Sequence, residues 1–159
     1  MYTIGIDLGG TNIVASVVDD EYKIIGTSKT PTNAPRSAHE IFDDIAKVCE
    51  EAVKAADLTM ADIDSVGMGT PGTVNQDGII EFANNLAFNN VPARTMLAKR
   101  LNKPEEKIYI ENDANCAALG EAYAGVGIIF NINLFFRLIL KMMPTPAQRI
   151  LWLLPLVQA

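Results

Sequence analysis

Between residues 2 and 56 the apolar residues change period once, from two to about 3.6, and that change commits the chain to a sheet with a helix laid on it. Tyr2, Ile4 and Ile6 alternate with smaller or polar residues, and Leu8-Gly9-Gly10-Thr11-Asn12 supplies turn chemistry. Residues 13–18 are rich in β-branched side chains and predict a second strand. Asp19-Asp20-Glu21 is the next turn, and residues 23–28 read as a third strand before a loop from Pro31 to Pro35. The expected product is a three-stranded antiparallel meander. Ser37-Ala38-His39-Glu40 then fits a capping box. After it Ile41, Phe42, Ile45, Val48, Cys49, Ala52 and Val53 recur on one helical face.

The second half of the pattern alternates strand and helix. Residues 63–69 predict a buried strand ending in Thr70-Pro71-Gly72, and residues 79–82 a short strand after the turn at Gln76-Asp77-Gly78. Residues 93–101 predict a short helix and residues 107–111 another strand, and Asn112-Asp113 can cap a helix over residues 114–124. The order is β-β-β-α-β-α-β-α. Strands that follow helices return by right-handed crossovers and pair in parallel, so the fold class expected is α/β with a mixed sheet covered by helices.

Charge divides the chain. All nineteen acidic residues lie at or before Glu121, so residues 1–125 carry nineteen acids against ten bases, while residues 126–159 carry only Arg137, Lys141 and Arg149. Function is therefore read from residues 1–125. The overall charge of -6 opposes a polyanion, which argues against a nucleic-acid partner. Cys49 and Cys116 make no disulfide framework, and with His39 as the one histidine no Cys/His zinc site is expected. The first residues lack a basic stretch before an apolar core, so no secretory signal is read and a reducing cytoplasm is the expected compartment.

Three segments carry candidate chemistry. Asp7 stands at a strand end before Gly9, Gly10, Thr11 and Asn12, where backbone N–H groups could meet a phosphate beside a metal-binding oxygen; an ordinary hairpin explains the glycines equally well. Gly67-Met68-Gly69-Thr70-Pro71-Gly72 admits a close approach by a ligand or by another piece of backbone. Glu111-Asn112-Asp113-Ala114-Asn115 joins a strand to a helix. An aspartate there can accept a proton from a substrate hydroxyl, or either Asn112 or Asp113 can simply cap the helix. His39 reads as surface, and Cys49 and Cys116 as packed thiols.

In this order, with Asn84-Asn85-Leu86 between the second and third, the segments resemble the ROK family of sugar kinases, glucokinase-like enzymes of the actin-like ATPase fold. The resemblance covers residues 1–125, one lobe of such a kinase. It implies that Gly9, Gly10, Thr11 and Asn12 form the first phosphate loop for ATP and that Asp7 helps hold magnesium. It also implies that Gly72, Asn85 and Asn112 meet the hydroxyls of a hexose and that Asp113 is the general base. The family's second lobe, with its further phosphate loop, adenosine pocket and Cys-rich zinc motif, has no counterpart in residues 126–159.

Those last residues set further expectations. Residues 126–140 are strongly apolar but interrupted by Asn131, Asn133 and Arg137, and the run is shorter than the roughly 20 residues of a membrane helix. Pro144 and Pro146 break any extension, so no span is expected. The break in composition is read as a frameshifted or otherwise aberrant carboxyl terminus that leaves the chain inactive alone and prone to self-association through exposed apolar side chains. Two other readings stand beside the kinase. One is a non-catalytic sugar-binding module like the family's repressors, although those carry a helix-turn-helix ahead of the kinase-like part and here the first strand begins at Tyr2. The other is a membrane-associated fragment.

Overall fold

The structure, a computed structural model, describes residues 1–21 and 23–115. The cap of the last predicted helix falls inside that range and residues 113–115 are helical. The rest of that helix, Cys116 and the apolar segment 126–159 lie outside the described residues. The main sheet has five strands, β1 (Tyr2–Leu8), β2 (Asn12–Val18), β3 (Ile24–Pro31), β4 (Ile63–Thr70) and the strand Ile108–Asn112. They lie in the order β3-β2-β1-β4 and then Ile108–Asn112. The meander β1-β2-β3 is antiparallel, whereas β4 pairs in parallel with β1 and with the last strand.

The helix between β3 and β4, α1 (Ala38–Ala55), begins where the capping box required. The Ser37 hydroxyl accepts from the Glu40 N–H at 3.2 Å, and the Glu40 carboxylate accepts in return from the Ser37 N–H at 3.1 Å. Ile41, Phe42, Ile45, Val48, Cys49, Ala52 and Val53, the seven residues of the predicted face, are all buried. They cover the sheet face on which Ile4 pairs with Val17, Ile6 with Ala15 and Leu8 with Ile13, and all of these belong to one apolar core. The carboxyl end of α1 lies so close to β3 that a Cβ on Gly26 would fall 2.3 Å from the Ala52 carbonyl oxygen, so only glycine fits there. His39 is exposed and meets Arg100, and Cys49 is buried, its thiol pushed up in pKa first by burial and then by the Glu50 charge.

Two features exceed the expectation. β3 runs through Pro31, three residues past its predicted end, because the edge of the sheet needs no N–H from proline. A second sheet is built from β5 (Thr73–Val74), β6 (Ile80–Ala83) and β7 (Phe88–Val91), of which only β6 was expected. β5 has two residues and β7 reads Phe-Asn-Asn-Val, so neither shows the alternation that marks a half-buried strand. The helix α2 (Ala93–Leu101) follows and packs against α1, and Ile108–Asn112 is then β8. Among the described residues no helix is long and apolar enough to cross a membrane.

Replacing Ser37 with Ala is expected to cost about 1 kcal/mol in urea denaturation, the usual loss on removing a cap. The Ser37 hydroxyl also donates to the Glu40 carboxylate at 2.6 Å, and this bond, with the one from the Ser37 N–H, holds the Glu40 carboxyl below its ordinary pKa. That part of the stabilisation is present above the unfolded-state value and lost as pH falls through the folded one, so the Ser37→Ala deficit should shrink in acid.

Candidate active site

Register carries the predicted residues to one end of the main sheet. Asp7 on β1 stands opposite Gly69 on β4, and Gly69 stands opposite Glu111 on β8, so the carboxyl ends of the three parallel strands finish level. The segments that continue them, the Gly9–Asn12 turn, Pro71-Gly72 and Asp113, gather along that edge, the place where sheets of this kind accept ligands. Small residues clear the approach: Gly5 and Asp7 on β1 are matched by Gly67 and Gly69 on β4.

The Gly9–Asn12 turn is the hairpin between β1 and β2, closed by a 2.9 Å bond from the Gly9 N–H to the Asn12 carbonyl. A hairpin alone does not account for Gly10. Its backbone has no positive φ, and a Cβ added to it would only touch the Asn85 Cβ at 3.5 Å, an ordinary contact. Among the described residues nothing requires glycine there, whereas a group approaching the turn from outside would meet that Cβ. The same geometry brings the predicted phosphate turn against the predicted sugar-binding Asn85, which is exposed on the short 3₁₀ turn Asn84–Leu86.

Gly72 is constrained differently. Its φ is +98°, and a Cβ would lie 2.0 Å from the Phe82 carbonyl oxygen, so the fold itself demands glycine. Its carbonyl accepts a hydrogen bond from the Asn112 side-chain Nδ2, and Asn112 Oδ1 accepts from the Asn115 N–H at 3.0 Å. Asn112 therefore caps the last helix and ties it to the turn after β4 at once. An amide has two donor hydrogens and two lone pairs, so among the described residues each end of Asn112 still has one site for a hydroxyl. Glu111, for which the sequence suggested no separate role, accepts from the Asn112 N–H at 2.8 Å and from Asn115 Nδ2 at 3.0 Å, which fixes the turn into the helix. Thr32, a second residue without a sequence signal, is wholly buried behind the Gly9–Asn12 turn.

Two carboxylates face each other across the edge. Asp7 is half-buried and its carboxyl is pushed up to about 6, first by burial and second by the negative charge of Asp113. Asp113 is half-buried, and its Oδ1 accepts from the Ala114 N–H at 2.8 Å. Among the described residues no three His, Cys, Asp or Glu side chains cluster as a metal site. That donor set suits magnesium better than a caged ion, because magnesium takes one or two carboxylates and fills its remaining positions with phosphate oxygens and water. A cation beside Asp7 would also offset the charge that Asp7 and Asp113 impose on each other.

A sequence model of the ROK family matches residues 3–132. The glucokinase of Streptomyces coelicolor is 39% identical over 126 residues, which cover 79% of this chain and 37% of that protein. The xylose repressor of Caldicellulosiruptor bescii is 35% identical over 130 residues, covering 77% of this chain and 30% of that protein. Among solved structures, a ROK family glucokinase from Streptomyces griseus in complex with glucose and AMPPNP superposes with a TM-score of 0.67 at 35% identity. It is matched over 82% of this chain and 39% of its own. The chain thus spans about a third of the length of the curated relatives it matches.

A carboxyl whose folded pKa is raised costs stability when it ionises. Stability should therefore fall as pH rises from about 4 to about 6 and then level off. Asp7→Asn is expected to remove that slope and to be more stable than the parent at pH 7.5, by on the order of 1 to 3 kcal/mol. Urea denaturation at a series of pH values measures both; an unchanged slope would assign the titration to another group.

Proposed function

Because the chain belongs to the ROK family, we propose that it is one lobe of a sugar kinase that transfers the γ-phosphoryl group of ATP to the 6-hydroxyl of glucose or a related hexose. One observation carries the reading: the Gly9–Asn12 turn, Asn85 and the adjacent pair Asn112 and Asp113 converge on the same end of the sheet from three separate segments of the chain. Glucose and AMPPNP in the Streptomyces griseus relative support the substrate class.

Each residue's chemistry suits the role. The turn's N–H groups would receive a phosphoryl oxygen, and Asp7 would hold magnesium, which supplies charge neutralisation at the phosphates when bound. Asn85 and the unused donor and acceptor of Asn112 would orient the sugar hydroxyls. Asp113 would take the hydroxyl proton as the sugar oxygen forms its bond to the γ-phosphorus and the bond from that phosphorus to the β–γ bridging oxygen breaks, releasing ADP. Transfer of this kind depends on positioning and charge more than on covalent chemistry, which is what a rigid sheet edge provides. The compartment we propose is the cytoplasm.

The xylose repressor relative favours a second reading, a lobe that binds sugar without turnover. One experiment separates the two. Joined to the second lobe of a ROK glucokinase, the chain is expected to phosphorylate glucose with ATP and magnesium, and Asp113→Asn is expected to lower kcat by about 10²- to 10⁴-fold while glucose binding persists. Glucose binding without turnover in the joined parent would favour the repressor-like reading, and an unchanged kcat in the variant would remove Asp113 from the role. The 159-residue polypeptide alone is expected to show no turnover, because positioning a γ-phosphoryl group requires it to be gripped from both sides. It is also expected to self-associate through its apolar carboxyl-terminal segment, which light scattering of the purified chain would report.

A further inference from the structure

We propose that Thr32 is the positioning residue of the Gly9–Asn12 turn, holding the turn's carbonyl groups from behind so that its N–H face is left for an anionic ligand; this rests on the phosphate-binding reading of the turn. The geometry is specific. The Thr32 hydroxyl donates to the Gly9 carbonyl at 2.7 Å, and the Thr32 N–H donates to the Thr11 carbonyl at 2.8 Å. One buried residue thus engages two of the turn's carbonyl oxygens, and the Asn12 carbonyl is taken by the Gly9 N–H. A peptide unit whose carbonyl is held on one side keeps its N–H pointing to the other, and the low dielectric of a buried site strengthens that preference. Without the hold, a glycine pair turns freely enough to swing a carbonyl oxygen toward a phosphate and repel it.

Thr32 is itself fixed. Its carbonyl accepts from both Arg36 Nε at 3.0 Å and Arg36 Nη2 at 2.7 Å, and Arg36 Nη2 pairs with Asp44 on α1 at 2.6 Å. The fork of a guanidinium gripping one carbonyl leaves it little freedom to rotate. The turn is therefore coupled through Thr32 and Arg36 to the long helix α1, whose inner face is buried against the sheet. Thr32 follows Pro31 and precedes Asn33 in a stretch that reads as plain loop, which is why only the folded chain reveals it.

The test compares Thr32→Val, which keeps the shape and the N–H but removes the hydroxyl, with Thr32→Ser, which restores it, in the full chain by nuclear magnetic resonance. Amide exchange of Gly9, whose N–H closes the turn, is expected to quicken about tenfold in Thr32→Val and to return to the parent rate in Thr32→Ser. Titration with magnesium ATP is expected to shift the Gly10 and Thr11 amides of the parent and of Thr32→Ser, with at least tenfold weaker binding to Thr32→Val. An unchanged Gly9 exchange rate in Thr32→Val, or failure of Thr32→Ser to restore it, overturns the proposal. Arg36→Gln, at a partly exposed site, is expected to quicken the same amide in the same direction and decides the matter should Thr32→Val not fold. If the parent's Gly10 and Thr11 amides ignore magnesium ATP while the exchange difference stands, the phosphate reading of the turn fails and the hold by Thr32 is upheld.

Discussion

The parallel register of β1, β4 and β8 governs the rest of the structure. Parallel neighbours point the same way, so their carboxyl ends finish together, and Asp7, Gly69 and Glu111 form a row across three strands that are remote in sequence. Slipping β4 by one residue would turn Met68 toward the crevice and Gly69 into the core, exchanging a cleared approach for a bulky side chain and leaving a void behind it. The apolar side chains under α1 prevent that slip, because the same register places Ile4 and Ile6 beside Val66 and Met68 in the core. Core packing and site geometry are thus one constraint seen from the two faces of the sheet.

At the crevice, most side chains serve structure and chemistry together. Asn112 caps a helix, ties it to Gly72 and keeps hydrogen-bonding capacity for a sugar. Capping therefore does not exclude the binding role proposed for it. The Gly9–Asn12 turn is a hairpin whose Gly9, Thr11 and Asn12 carbonyls are all engaged within the protein, an arrangement compatible with the anion-binding role proposed for it. Gly72 is glycine because the Phe82 carbonyl lies where its Cβ would be, whereas Gly10 is glycine although the protein leaves it room. Two glycines that look alike in sequence thus differ in the fold: the described residues require one and leave room at the other.

Membership of the ROK family accounts for the order of these segments, and the matched relatives include both kinases and repressors. Both outcomes can be built on one fold, because a shared scaffold does not by itself fix whether a proton is transferred. What would separate them is the carboxylate pair. Asp7 and Asp113 are close enough for the charge of Asp113 to raise the Asp7 pKa, so a cation has an electrostatic reason to enter.

The sequence by itself determined the elements that bury one face. The capping box at Ser37, all seven buried positions of α1, the bounds of α2 and the succession of the five main strands along the chain followed from period and turn chemistry, because burial on one side leaves a repeating mark in the chain. It also marked Asp7, the glycine turn, Asn112 and Asp113, which the structure brings to one end of the main sheet. Only the tertiary structure decided that β5 and β7 are strands, since their few residues pair with β6 without alternating burial. Only it distinguished Gly10 from Gly72, and only it revealed Thr32 and Glu111. Thr32 acts by bonding carbonyls of the Gly9–Asn12 turn that the fold brings within 3 Å of it, a proximity between strands that leaves no periodic signal along the chain, whereas Glu111 acts through local bonds to its neighbours Asn112 and Asn115 that its residue type alone does not announce.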